Sequence, residues 1–130
     1  VNNNSMSNMF RLGIFVFIFI SVLTVMLYSG EKKAMAELNV SAEDIQIYKN
    51  LNAPDGISFQ TTLSPNEIIK KLNAQIYKKQ ILKNEKLEIY YCFVENINNF
   101  IVENGKKINL QISYDGSTST VGFPLILTGY

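Results

Sequence analysis

The sequence predicts an α+β domain. An antiparallel sheet of about five strands should carry one or two helices on one face, preceded by an N-terminal transmembrane or signal helix. Three observations carry this expectation. Leu12 to Tyr28, LGIFVFIFISVLTVMLY, runs for seventeen residues without a charge. Ser64 to Ala74, SPNEIIKKLNA, opens with a helix start signal. Asn104 to Ile126 alternates apolar and polar residues around Asp115-Gly116.

The apolar run sets the first boundaries. Extended to Gly30 it is nineteen residues long, close to the ~20 that a helix needs to cross a bilayer. Residues 1–11 read as a disordered asparagine-rich leader, 12–30 as a transmembrane anchor or signal peptide, 31–40 as a linker, and 41–130 as a small extracytoplasmic domain. Two readings of the run stand side by side. Arg11 and the literal A-x-A at Ala34-Met35-Ala36 fit a cleaved signal, with release near Ala36. The length of the run, and Glu31-Lys32-Lys33 between it and that site, fit an uncleaved anchor. Arg11 on one side and Lys32-Lys33 on the other leave the positive-inside rule with little to say about orientation.

In the folded part, Ser41 is an N-cap with Asp44 three residues later, so a short helix through Tyr48 is expected. Asn52-Ala53-Pro54-Asp55-Gly56 reads as a turn, and ISFQTT after it as a strand with Ile57 and Phe59 on one face. The best helix follows. Ser64 caps it, Pro65 takes the first position where its missing N–H costs nothing, and Glu67 fits a capping box. Ile68, Ile69 and Leu72 share a face, with Lys70 and Lys71 turned to solvent. QIYKKQIL and LEIYYCFVE then form a hairpin about Asn84-Glu85, with Leu82 opposite Leu87 and Ile76 opposite Phe93. Apolar residues on both faces of the second strand mark it as central. NINNF is a loop or short helical turn.

A two-residue type I′ turn at Asp115-Gly116 would set Ile108 opposite Phe123 and Leu110 opposite Val121. Ile108, Leu110, Ile112, Val121 and Phe123 then face the core, each contributing ~1.5–3 kcal/mol before entropy is subtracted. The opposite face, Asn109, Gln111, Ser113, Thr118 and Thr120, reads as a water-facing strip and as the candidate interaction surface.

Chemistry is conspicuous by what the residues do not supply. With no histidine and one cysteine in the chain, Ser-His-Asp and Cys-His catalysis, the usual zinc clusters and an internal disulfide are all excluded. Cys92, inside the apolar stretch IYYCFV, reads as a buried thiol. Nucleotide-binding glycine motifs are missing, and no close acidic pair points to glycosidase chemistry. From Glu37 onward ten acidic residues nearly balance nine lysines, too even a charge to draw nucleic acid. No catalytic residue, cofactor or metal site is expected.

KKLNAQ, GKKINLQISY, VGFPLI and the terminal Tyr130 resemble the C-terminal half of YwmB-like proteins, over roughly Ser58 to Tyr130. These are exported proteins of spore-forming Firmicutes, similar in fold to the TATA-box-binding protein. Leu72-Asn73-Ala74, Gly105-Lys106-Lys107, Asn109, Tyr114, Gly122, Pro124 and Ile126 fit the family pattern. Ser113 stands where the family has arginine, and Phe123 where it has threonine. The resemblance implies an antiparallel sheet with helices on one side, export, and sporulation as a setting. It implies no activity, and fold likeness does not carry DNA binding.

The function expected is therefore a non-enzymatic envelope domain, membrane-anchored through its N-terminal helix or secreted, that contacts a protein partner. The alternative is a small-ligand or peptide-binding module, and more distant is an envelope hydrolase using carboxylates.

Overall fold

The computed structural model describes residues 29–50 and 53–126. The leader and the apolar run up to Tyr28 lie outside them. Among the described residues no helix is long and apolar enough to cross a membrane. The architecture is α+β: a six-stranded antiparallel sheet with two helices, and a separate two-stranded ribbon.

Helix α1 (Ser29–Glu37) opens the described chain. A 3-10 turn (Ala42–Asp44) leads into β1 (Gln46–Asn50) and β2 (Ala53–Thr61). Helix α2 (Pro65–Leu72) follows, then β3 (Gln75–Leu82) and β4 (Leu87–Phe93). The ribbon is β5 (Ile101–Glu103) and β6 (Lys106–Ile108), and β7 (Leu110–Tyr114) and β8 (Ser119–Phe123) complete the sheet. The spatial order is β1-β2-β8-β7-β4-β3, so β1 and β3 are the edges.

Residues 31–40 are not a linker. Gly30 of α1 lies so close to the Asn96 carbonyl that a Cβ there would collide with it, and Ala34, Met35 and Leu38 belong to the hydrophobic core. Every residue of EKKAMAEL is a good helix former, and one stripe of it is apolar. The helix expected from Ser41 to Tyr48 stops after one 3-10 turn, because Gln46–Asn50 pairs with β2 instead. The expected turn at 52–56 is mostly strand: Ala53 to Gly56 already belong to β2.

Helix α2 forms as its caps dictate. The Ser64 hydroxyl accepts from the Glu67 N–H at 3.3 Å, and Asn73 ends the helix in the left-handed region at φ 51°. Ile68 and Leu72 are buried while Lys70 and Lys71 are exposed. Together α1 and α2 cover Ile57, Phe59, Leu110, Ile112, Val121 and Phe123 on one face of the sheet. The Phe59 and Phe123 rings meet there with centroids 5.9 Å apart.

Two registers differ from expectation, in instructive ways. At the β7–β8 hairpin Ile112 pairs with Val121 and Tyr114 with Ser119, so the loop has four residues rather than two. The reason is Asp115, whose Oδ1 accepts from the Ser117 N–H (2.9 Å), the Ser117 hydroxyl (3.1 Å) and the Thr118 N–H (2.8 Å). Such a side-chain-organised turn competes with the tight I′ form. Because the shift is by two residues, Leu110, Ile112, Val121 and Phe123 keep their expected face, whereas Ile108 is not opposite Phe123 but pairs with Ile101 in the ribbon. The tight turn sits elsewhere: Asn104 (φ 50°) and Gly105 (φ 77°) both adopt positive φ between Glu103 and Lys106, as type I′ requires. The β3–β4 pairing holds from Leu82↔Leu87 to Lys78↔Tyr91, and an irregularity at Tyr77 then places Ile76 opposite Cys92 rather than Phe93.

Candidate interaction surfaces

The polar strip does not come together as a surface. Asn109, Gln111 and Ser113 are 0%, 3% and 3% exposed, while Thr118 and Thr120 are half-buried. The Asn109 side chain accepts from the Val94 N–H at 2.7 Å and donates to the Val94 and Ile97 carbonyls at 2.7 and 3.0 Å. It thereby clamps the loop after β4. The Gln111 Oε1 accepts from the Ile126 N–H at 2.7 Å, and a Cβ on Gly122 would strike the Leu125–Ile126 backbone. The chain after β8 therefore folds back across the face that alternation assigned to water. Polarity at these positions answers buried backbone groups, which a single strand's pattern does not reveal.

Large apolar side chains are exposed at both edges of the sheet, Ile47 on β1 (61%) and Ile76 and Ile81 on β3, and β3 is the longer edge. Ile76 and Ile81 are 48% and 57% exposed on β3, on the helix-bearing face but beyond the helices. Between them in the same face is Lys79, whose Nζ lies 5.2 Å from the centroid of the Tyr90 ring and 4.0 Å from Glu88 Oε2. The Tyr90 hydroxyl donates to the same carboxylate at 3.0 Å. The Tyr90 phenol is pushed up, first by desolvation, and the Lys79 ammonium is raised by its contact with Tyr90. Neither shift readies a group for proton transfer near neutrality, so this triad orders the edge and has no acid–base poise. On the other face Lys78 joins Glu103 of the ribbon at 2.9 Å and lies 4.5 Å from the Tyr91 ring centroid.

Cys92 is fully buried, and desolvation pushes its thiol up to about 12, the opposite of a nucleophile's requirement. Among the described residues no group of three or more His, Cys, Asp or Glu side chains could hold a metal ion. One buried carboxylate is unusual. Glu31 of α1 is 1% exposed with no side-chain partner for either oxygen among the described residues, and burial raises its pKa, offset in part by its own backbone N–H.

Family models, curated proteins and solved structures were all compared with the chain, and none matches.

Proposed function

We propose that the chain is a non-enzymatic domain held at the cell membrane by residues 12–30, lying outside the cytoplasm and contacting an envelope protein along the β3 edge. The observation that carries this reading is the edge itself. It is eight residues long, its outer backbone groups face no neighbouring strand among the described residues, and it displays Ile76 and Ile81. Natural sheets blunt such edges unless they are used, and here Lys78 and Lys79 act as partial guards against self-pairing. A partner strand could add to it through main-chain bonds, with the isoleucines giving selectivity.

The tether has separate support. The apolar run reaches Tyr28, and the described residues that follow it open in helix. Cleavage after Ala36 would remove Ala34 and Met35 from the core, which favours retention over release. The resemblance of residues 58–130 to exported YwmB-like proteins favours the outer side of the membrane.

A photo-crosslinking side chain placed at Ile81, and in a second variant at Thr118, tests the edge in the source cells. The expected result is one discrete protein adduct from Ile81 and none from Thr118. Adducts from Thr118 alone would overturn the choice of surface. Recovery of the native protein in the soluble fraction, with a new N-terminus at Glu37, would overturn the tether.

A further inference from the structure

The register of the sheet tells which end of the domain adjoins the apolar run. Phe93, Leu110, Phe123 and Gln75 lie at one end, whereas the 83–86 and 115–118 turns lie at the other. Helix α1 spans the two. Its first turn abuts Asn96, just past β4, and the residues after it, Leu38 to Ser41, line a cleft with Thr61 and Thr118. The chain therefore enters the domain from the run at the end that carries the 94–100 loop and the β5–β6 ribbon.

That end has a composition of its own. Val102 is 61% exposed and Phe100 37%. In the ribbon Val102 pairs with Lys107, and the Lys107 ammonium lies 4.7 Å from the centroid of the Phe100 ring. Ile101 and Ile108, also a pair, take the other face, where Ile108 is fully buried. The outer face is thus aromatic, aliphatic and cationic together. Lys70 and Lys71, at the end of α2 that leads into β3, are exposed as well, against Glu95 on the loop, while Lys106 and Glu103 pair on the ribbon's other face, where Glu103 meets Lys78.

We propose that the outer face of the β5–β6 ribbon, Phe100, Val102 and Lys107, rests on an anionic lipid bilayer beside the point where the apolar run enters it. The inference depends on the tether proposed above and adds an orientation to it. Phe and Val can enter the headgroup boundary while lysine stems extend to the phosphates, the mixture that interfacial contacts use. Juxtamembrane lysines are drawn to anionic lipid within a Debye length of the surface. With the ribbon seated, the 83–86 and 115–118 turns point away from the bilayer and the β3 edge stands upright, reachable from the side.

The chain contains no tryptophan, so a single Val102→Trp substitution reports on the site, with Ile81→Trp as the distal control. The full chain is reconstituted into vesicles of phosphatidylcholine, with and without phosphatidylglycerol, some carrying brominated acyl chains. Emission from Val102→Trp should shift to the blue and be quenched by brominated lipid when phosphatidylglycerol is present, while Ile81→Trp stays water-like. Adding Lys107→Gln should lower the seated fraction relative to the free one by about fivefold. If the chain floats with the vesicles but Val102→Trp matches Ile81→Trp, the ribbon does not dock and only the tether stands. Equal quenching with and without phosphatidylglycerol overturns the anionic requirement. A chain that does not float with the vesicles at all removes the tether and this inference with it.

Discussion

The β7–β8 hairpin and the β3–β4 hairpin look alike as sequences, and the fold treats them oppositely. Strands β7 and β8 lie in the middle of the sheet, flanked by β4 and β2, with helices on one face and the returning chain on the other. Their polar residues are inside: Gln111 holds Ile126, and the Ser119 hydroxyl donates to the Leu63 carbonyl at 2.7 Å. Among the described residues strand β3 is bonded on one side alone, and its lysines reach acidic and aromatic partners that solvent also reaches. Side chains in the first region therefore act on stability. On β3, Ile76 and Ile81 instead present apolar surface to solvent.

Substitutions break or sharpen this contrast, and the largest effect belongs to Leu110→Asp. Leu110 has no exposed surface, and burying an unpaired carboxylate costs several kcal/mol. A domain of this size has about 5–15 kcal/mol to lose, so the cooperative thermal transition should largely vanish. A folded Leu110→Asp protein would mean that this face is not core.

Asn109→Ala comes next. It leaves one buried N–H and two buried carbonyls without the partner they have now. At about 1–3 kcal/mol for each group left unsatisfied, softened where water enters, a loss near 3 kcal/mol should appear in the denaturant midpoint. A change within about half a kcal/mol would return Asn109 to the surface positions.

Glu31 gives a smaller, pH-dependent effect. Its carboxyl titrates above its ordinary 4.5 in the folded state, so the folded protein holds that proton more tightly than the unfolded one. Its contribution is most favourable below pH 4.5 and is lost as pH rises through the raised folded pKa. Glu31→Gln should make the protein more stable than the wild type at pH 7 and flatten this dependence. Urea titrations at several pH values would show it, and identical profiles for the two proteins would argue that Glu31 meets water.

The smallest stability effect is expected at the edge. Ile81→Ser replaces a side chain that is 57% exposed, so unfolding should change by no more than about half a kcal/mol. The same substitution should abolish crosslinking from a photoreactive group at position 76. Intact crosslinking would leave β3 with no more than a structural role.

Much of the fold was legible in local signals. Ser64, Pro65 and Asn73 bound α2 because caps depend on the chain's own backbone groups. Alternation sets the inward face of β7 and β8, and it holds with a loop of four residues rather than two, since a shift of two leaves parity intact. Two further local signals agree with the fold: Asn104-Gly105, a strong hairpin pair, and the helix-forming EKKAMAEL.

Tertiary structure alone decided the rest. That Asn109, Gln111 and Ser113 are interior follows from where the 94–97 loop and the 124–126 segment return, contacts between residues 15 apart or between a strand and a chain end. That β3 is an open edge follows from strand order, which pattern cannot give because a strand's alternation records its faces and not its neighbours. The sequence by itself determined the parity of the strands, the limits of α2, and the lack of histidine and paired-cysteine chemistry. Which polar residues are buried, and which edge and end remain open, depended on long-range packing, because burial is a property of what the whole chain places around a residue.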